Sequence, residues 1–244
     1  MHGRKDLNIL STEELLSIYK RQRKISYRNP EGIEYICKIL SNKGVEFKYE
    51  KTKVDPYTFG LLLGDGCFRH KSCYYSQSED DLNNQKPFIP YDIIKWKTYC
   101  GYRINIPGWN NILKEYNLYN VKSIDKFIPD EYKYNSRQVR LDILKGLFDT
   151  DGTSNKGIPE FYTISEKLKD DVIFIARSLG YNASYSIKKT SYSTDNGRIE
   201  CNPVYIIVVY AGEEIFNLNR KKKTVKYLNN RALSRVNGTM ITDI

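Results

Sequence analysis

Two stretches of the chain carry apolar positions that run into an Asp-Gly pair. Residues 57–64 are almost wholly apolar, follow Pro56 and stop at Asp65-Gly66. Proline suits the first turn of a helix, where its missing N–H has no intrahelical partner to lose. Val139, Ile143 and Leu147 recur at helical spacing behind Ser136, a suitable N-cap, and this second helix stops at Asp151-Gly152. Behind the first helix, residues 76–86 read as a loop, 102–106 alternate as a strand and 109–118 form an amphipathic helix. Behind the second, 161–164 read as a strand, and Leu168, Val172, Ile175, Ala176 and Leu179 mark one helix face stopped by Gly180. Strands over 181–188 and 204–210 follow, separated by a turn-rich 191–197. Ahead of all this, Ser11-Thr12-Glu13-Glu14 forms a capping box for a helix towards Lys24, and 45–49 alternate as a strand. A last amphipathic helix covers 221–235. The order helix–strand–strand–helix therefore occurs twice, and the pattern predicts an internal duplication.

Composition narrows the chemistry. The longest apolar run, 205–211, is far shorter than the roughly 20 residues of a membrane span. No basic-then-apolar signal segment opens the chain, so an intracellular location, cytoplasmic or nucleoid, is expected. The formal charge of +10 fits a polyanionic partner without naming one. Five scattered cysteines, with no C-x-x-C pair, support neither a zinc ribbon nor a disulfide framework. With His2 and His70 as the only histidines, His-based triads and multi-His metal sites are nearly excluded. A metal here must be held mainly by oxygen, as magnesium is. Neither a P-loop nor a dinucleotide-binding glycine fingerprint is present. The 21 tyrosines fit a wet polar interface or a Tyr-rich core equally well.

The two helix ends can be superposed as sequence: Gly60-Leu61-Leu62-Leu63-Gly64-Asp65-Gly66 against Gly146-Leu147-Phe148-Asp149-Thr150-Asp151-Gly152, offset by 86 residues. A helix-interior glycine costs about 1 kcal/mol relative to alanine, so a repeated one needs a compensating benefit. Close packing of the two helices through Gly60, Gly64, Gly146 and Thr150 would supply it and bring both aspartates out side by side. A helix C-terminus is electronegative, so Asp65 and Asp151 repel the helix dipole and each other. Divalent cations would offset both penalties, with the carbonyls of Gly64 and Thr150 as further ligands.

At these residues the chain resembles the LAGLIDADG homing endonucleases in their two-motif single-chain form, from about residue 55 to the end, and is closest to the intein-encoded domains of these mobile genetic elements. Asp55-Pro56-Tyr57 is similar to the lead-in of those members, Lys126-Phe127-Ile128-Pro129 to the K-x-I-P element before their second motif, and 165–180 to the helix after it. Thr12-Glu13-Glu14-Leu15 resembles the junction with a splicing domain. The residues for splicing are missing: position 1 is Met and the chain ends Thr242-Asp243-Ile244 without His-Asn, so no splicing is expected.

The resemblance implies an α+β fold of two pseudo-symmetric α-β-β-α-β-β-α units, 55–135 and 136–244, with the motif helices paired at the centre. Residues 1–54 would be a small N-terminal appendage with accessory DNA contacts. It further implies a monomeric, site-specific double-strand DNA endonuclease with a long asymmetric target, cutting across the minor groove to leave short 3′ overhangs. Asp65 and Asp151 would hold Mg²⁺, with Mn²⁺ substituting and Ca²⁺ supporting binding without cleavage. Lysines would complete the site: Lys126 from its K-x-I-P context, and a second-half partner within 221–223. Lys223-Thr224-Val225 best copies the register of Lys126-Phe127-Ile128, with Lys221 and Lys222 as alternatives. On strands lining DNA, Arg69, Lys71, Tyr74, Lys97 and Arg103 fit in the first half, and Tyr185, Lys188, Lys189 and Arg198 in the second. Lys221 and Lys222 belong to a basic C-terminal stretch, 218–244, with 7 Lys/Arg against one acidic residue. A binding protein on the same scaffold, an intron RNA maturase or transcription regulator, is the alternative. Such relatives often lose the acidic pair, which this chain keeps.

Overall fold

In a computed structural model of the chain, residues 44–68, 73–95, 101–194 and 197–226 are described, together with Glu13. The chain divides into two units, 1–41 with 235–244, and 42–234; the second holds both motif helices and every strand among the described residues. The expected helices over 11–24 and 221–235 lie wholly or largely outside the described residues.

The first motif helix, α1 (Pro56–Asp65), starts where Asp55 accepts hydrogen bonds from the Thr58 N–H and hydroxyl, both 2.8 Å, and keeps Pro56 in its first turn. It leads into β1 (Gly66–Cys67), β2 (Cys73–Ser76), α2 (Glu79–Gln85), β3 (Ile93–Lys95), β4 (Gly101–Ile104) and α3 (Trp109–Glu115). A short α4 (Asp130–Lys133) precedes the second motif helix, α5 (Arg137–Asp151). Then come β5 (Gly152–Asn155), β6 (Ile158–Thr163), α6 (Glu166–Ser178), β7 (Asn182–Lys188), β8 (Ser191–Thr194), β9 (Gly197–Glu200), β10 (Val204–Tyr210) and α7 (Asn219–Lys222). Without the β8–β9 hairpin, the helix–strand–strand–helix–strand–strand–helix order is the same twice. Both sheets are antiparallel with matching strand orders, β1-β2-β4-β3 and β5-β6-β10-β7. The fold is α+β.

At the centre, α1 and α5 approach as the glycines predict. A Cβ on Gly60 would meet the Ile143 carbonyl oxygen at 2.3 Å, and one on Gly146 would meet that of Tyr57 at 2.3 Å. Any larger residue forces the helices apart, which in a packed core costs about 1–3 kcal/mol. Either side of this contact lies an aromatic cluster. Phe59 stacks on Tyr132 with centroids 4.8 Å apart, flanked by Phe68, Trp109 and Tyr116; Phe148 sits between Phe161 and Phe216. Part of the tyrosine surplus is core: Tyr57, Tyr75, Tyr102, Tyr116 and Tyr132 are buried. The hydroxyls stay satisfied, as a buried phenol requires; Tyr132 donates to the Val54 carbonyl at 3.1 Å and Tyr57 to Asp149 at 2.7 Å.

Three expectations change. The loop expected over 76–86 contains α2, whose only buried apolar residue is Leu82, so no periodicity reveals it. What forms it is local: Ser78 accepts from the Asp81 N–H at 3.2 Å, and Glu79, Asp80 and Asp81 fill the electropositive first turn. The turn-rich 191–197 makes the β8–β9 hairpin. Residues 45–49 join no sheet. Val45 instead donates to the Ser178 carbonyl at 2.8 Å, and its own carbonyl accepts from buried Arg140, so the end of α6 and a side chain of α5 take the hydrogen bonds a strand partner would have. No helix among the described residues is long and apolar enough to cross a membrane.

Candidate functional site

The site sits where α1 and α5 end together. Both helices close on an Asp-Gly pair because the next residue has no room for a side chain: a Cβ on Gly66 would lie 2.3 Å from the Leu62 carbonyl oxygen, and one on Gly152 2.4 Å from that of Phe148. The chain then turns straight into the first strand of each sheet. A methyl on Gly64 would come within 3.2 Å of Asp151 Oδ2, so the end of one helix lies against the aspartate of the other.

Asp65 and Asp151 open to solvent above the crowded helix pair. The protein beneath them excludes water from one side and raises both carboxyls above the ordinary value, Asp151 to about 6. For Asp151 the nearby Asp65 charge adds to that desolvation, while Lys126 and Lys221 oppose it. Two carboxylates held together against their own repulsion are a donor set for a hard divalent cation. No three His, Cys, Asp or Glu side chains converge among the described residues. The pair therefore fits an ion that completes its coordination with carbonyls, water or substrate phosphate, as Mg²⁺ commonly does.

Two buried lysines complete the ends. Lys126 Nζ donates to the carbonyls of Leu63, Gly64 and Gly66 at 2.7, 3.0 and 3.1 Å. Lys221 Nζ donates to those of Phe148, Asp149, Thr150 and Gly152 at 2.9, 2.8, 3.0 and 2.6 Å. Advancing the first set by the 86-residue repeat turns it into Asp149, Thr150 and Gly152, so Lys221 is the counterpart of Lys126. Lys223, assigned that position on register, is exposed past the end of α7. Lys222 is half-buried beside it. The carbonyls of Gly64 and Thr150, expected as metal ligands, each accept a hydrogen bond from a lysine. Burial lowers both ammonium groups, Lys221 to about 8 with its Arg220 neighbour contributing, while nearby carboxylates oppose the shift. Phe68 lies under Lys126, 5.0 Å from Nζ to the ring centroid.

The repeat differs at one position with a consequence that sequence reading missed. Where the first motif has Leu63, the second has Asp149, which accepts from Tyr57 Oη at 2.7 Å and from the Asn217 and Leu218 N–H groups at 3.1 Å. This buried carboxylate ties the segment carrying Lys221 to α5 and to α1. The mismatch with Leu63 was visible in the sequence; its partners were not.

The sheets divide the remaining candidates by strand parity. In the first sheet Cys73, Tyr75, Tyr102 and Ile104 face the core, which leaves Tyr74 and Arg103, directly paired across β2 and β4, on the open face. In the second, Lys188 pairs with Val204 on the open face together with Ile206 and Tyr162. Tyr185 takes the opposite face. It pairs with fully buried Ile207, stacks edge-on against Tyr205 and lies under Lys169 of α6, Nζ 4.5 Å from its centroid. An alternating strand puts every second residue on its covered side, so Tyr185 and Lys188, three positions apart, take opposite faces. Lys189 is exposed before the β8–β9 hairpin, and Arg198 pairs with Ser193 within it. Arg69, Lys71 and Lys97 lie outside the described residues.

Residues 127–234 match the family model described as homing endonuclease. Among curated proteins, 99 residues are 34% identical to the replicative DNA helicase DnaB of Mycobacterium intracellulare, covering 40% of this chain and 16% of that protein. Another 231-residue alignment is 28% identical to the ATP-dependent DNA helicase Hel308 of Methanocaldococcus jannaschii, covering 83% of this chain and 18% of that one. The chain thus spans less than a fifth of the length of these relatives. Among solved structures, a mesophilic variant of the homing endonuclease I-DmoI aligns with a TM-score of 0.40 at 15% identity, over 72% of this chain and 98% of that one. I-DmoI in complex with DNA and Ca aligns with 0.41 at 14%, over 67% and 85%. The segment that matches the homing endonuclease model, 127–234, holds the second motif helix, its sheet and Lys221.

Proposed function

We propose that this chain is a site-specific double-strand DNA endonuclease that hydrolyses one phosphodiester on each strand, leaving short 3′ overhangs. The observation that carries the reading is the repeated pair at the two helix ends: Asp65 with Lys126, and Asp151 with Lys221, related by one register and set side by side. Two equivalent acidic ends on one monomer suit two antiparallel strands. Asp65 and Asp151 would hold divalent metal, Mg²⁺ or Mn²⁺ for reaction, which when bound supplies an activated water and neutralises phosphate charge. Lys126 and Lys221, fixed by three and four carbonyls, hold positive charge where a pentacovalent phosphate gathers negative charge. Tyr74, Arg103 and Lys188 on the open faces would contact a long asymmetric duplex, phosphates for grip and base edges for choice.

The test is incubation of the protein with a randomised duplex library and Mg²⁺. Enrichment of one cut sequence supports the reading; tight binding with no cut site would favour a non-cleaving binding protein on this scaffold.

A pH dependence follows from Asp151. Its folded carboxyl titrates at about 6, above the ordinary 3.8, so the folded metal-free protein binds the extra proton more readily than the unfolded chain. The destabilisation is fully present above about pH 6 and disappears as the pH falls towards 3.8. A divalent ion needs the ionised pair, so Ca²⁺ will raise the melting temperature more at pH 7.5 than at pH 5, read by differential scanning fluorimetry. An equal shift at both pH values would detach the aspartates from metal binding.

A further inference from the structure

Each lysine segment is fastened by the other half of the molecule. The Lys126 segment belongs to the first half, yet Ser165, the N-cap of α6, donates to the Lys126 carbonyl at 2.6 Å. Asp171, further along α6, accepts from the Ile128 N–H at 2.8 Å and from Lys133 at 2.8 Å. The Lys221 segment belongs to the second half, and it is α2 of the first that holds it. Asp81 accepts three hydrogen bonds from Arg220, at 2.7, 3.0 and 2.6 Å, and Asn219 donates to Asn84 at 3.0 Å. In the order of elements, α2 and α6 are equivalent helices of the two repeats. The Asp81 side chain is 8% exposed, so its charge has little water to fall back on when Arg220 is absent.

We propose that α2 and α6 are reciprocal positioning elements, with Asp81 setting Lys221 and Asp171 setting Lys126, so that each half tunes the cut made at the other half's helix end. The inference rests on the nuclease reading and deepens it. Neither carboxylate touches the reacting atoms; each acts by holding the backbone that aims a lysine. Displacing a catalytic group by about 1 Å costs up to on the order of 100-fold in rate, so loss of one clamp has a large effect on one site and little on the other.

The measurement uses the full chain and a duplex recovered from the library selection, end-labelled separately on each strand. Asp81→Asn slows cleavage of one strand by about tenfold or more and Asp171→Asn slows the other, each accumulating nicked duplex of opposite polarity. Asp81→Glu, which keeps the carboxylate, restores the balance. Asn84→Ala, which removes the exposed hydrogen bond from Asn219 and one to the Asp80 carbonyl, gives the same bias as Asp81→Asn in weaker form. Equal slowing of both strands, or no change in either, overturns the positioning role while wild-type cutting leaves the nuclease reading intact. Amide hydrogen exchange gives a readout independent of cleavage: Asp81→Asn raises exchange across 217–222 and leaves 126–128 protected, and Asp171→Asn does the reverse. Loss of protection over the whole chain in either variant overturns the proposal as well. A wild-type protein that cuts no duplex removes the nuclease reading and this inference with it.

Discussion

Asp65→Asn and Asp151→Asn will each reduce double-strand cleavage by about 10³-fold or more, with DNA binding in Ca²⁺ retained. The substitution keeps the shape of the side chain and removes the charge that would hold a divalent ion. It also relieves the repulsion at the helix ends, where Asp65 helps raise Asp151 to about 6. Each single variant will therefore be at least as stable as the wild type in metal-free buffer, though inactive. That combination separates a functional carboxylate pair from a structural one. Rates from single-turnover cleavage and melting temperatures in EDTA check both halves; a destabilised or active variant would refute the assignment.

Lys221→Met will lower the cleavage rate by on the order of 10²–10³-fold, whereas Lys223→Met will leave the rate at saturating protein close to that of the wild type. Lys221 Nζ is buried against four carbonyls at the end of α5, and Lys223 is exposed two residues later. Removing Lys221 takes away the ammonium to which the carbonyls of the second helix end are bound. Lys126→Met should match Lys221→Met on the other strand, since its contacts to Leu63, Gly64 and Gly66 repeat the same register. The comparison is read from single-turnover rates on separately labelled strands. A larger loss for Lys223→Met would reverse the assignment.

The motif helices were legible in the sequence because everything that starts and stops them is local. Pro56 and the Asp55 cap open α1, apolar spacing carries both helices, and Asp-Gly closes them within one residue of where the chain turns. Their pairing was legible too, since two glycines at matched positions make sense only if something occupies the missing Cβ space; Ile143 and Tyr57 carbonyls do. By contrast α2 was hidden, because a seven-residue helix with Leu82 as its one buried apolar side chain has no period to read. Tyr185 went to the wrong face for a related reason: β7 is an edge strand with five exposed residues in a row, so exposure alternates nowhere along it and only pairing with Ile207 shows its orientation.

The choice among Lys221, Lys222 and Lys223 shows where local information stops. Three consecutive lysines are chemically alike, and an alignment of short segments favoured the last of them. Which one turns inward depends on Phe216 and Leu218 burying themselves beneath the segment and on Asp149 capturing the Asn217 and Leu218 N–H groups. Those contacts join residues about 70 positions apart, and the Arg220–Asp81 pair joins residues 139 apart. Composition and periodicity, being short-range signals, were sufficient for the duplication, the paired aspartates and the oxygen-rich, histidine-poor character of the site. Long-range packing was needed to select the second lysine, to set Tyr185 on the helix-covered face of its sheet and to brace each lysine segment against the other half. A side chain's local propensity does not depend on distant partners, but the energy of burying an ammonium or a carboxylate does.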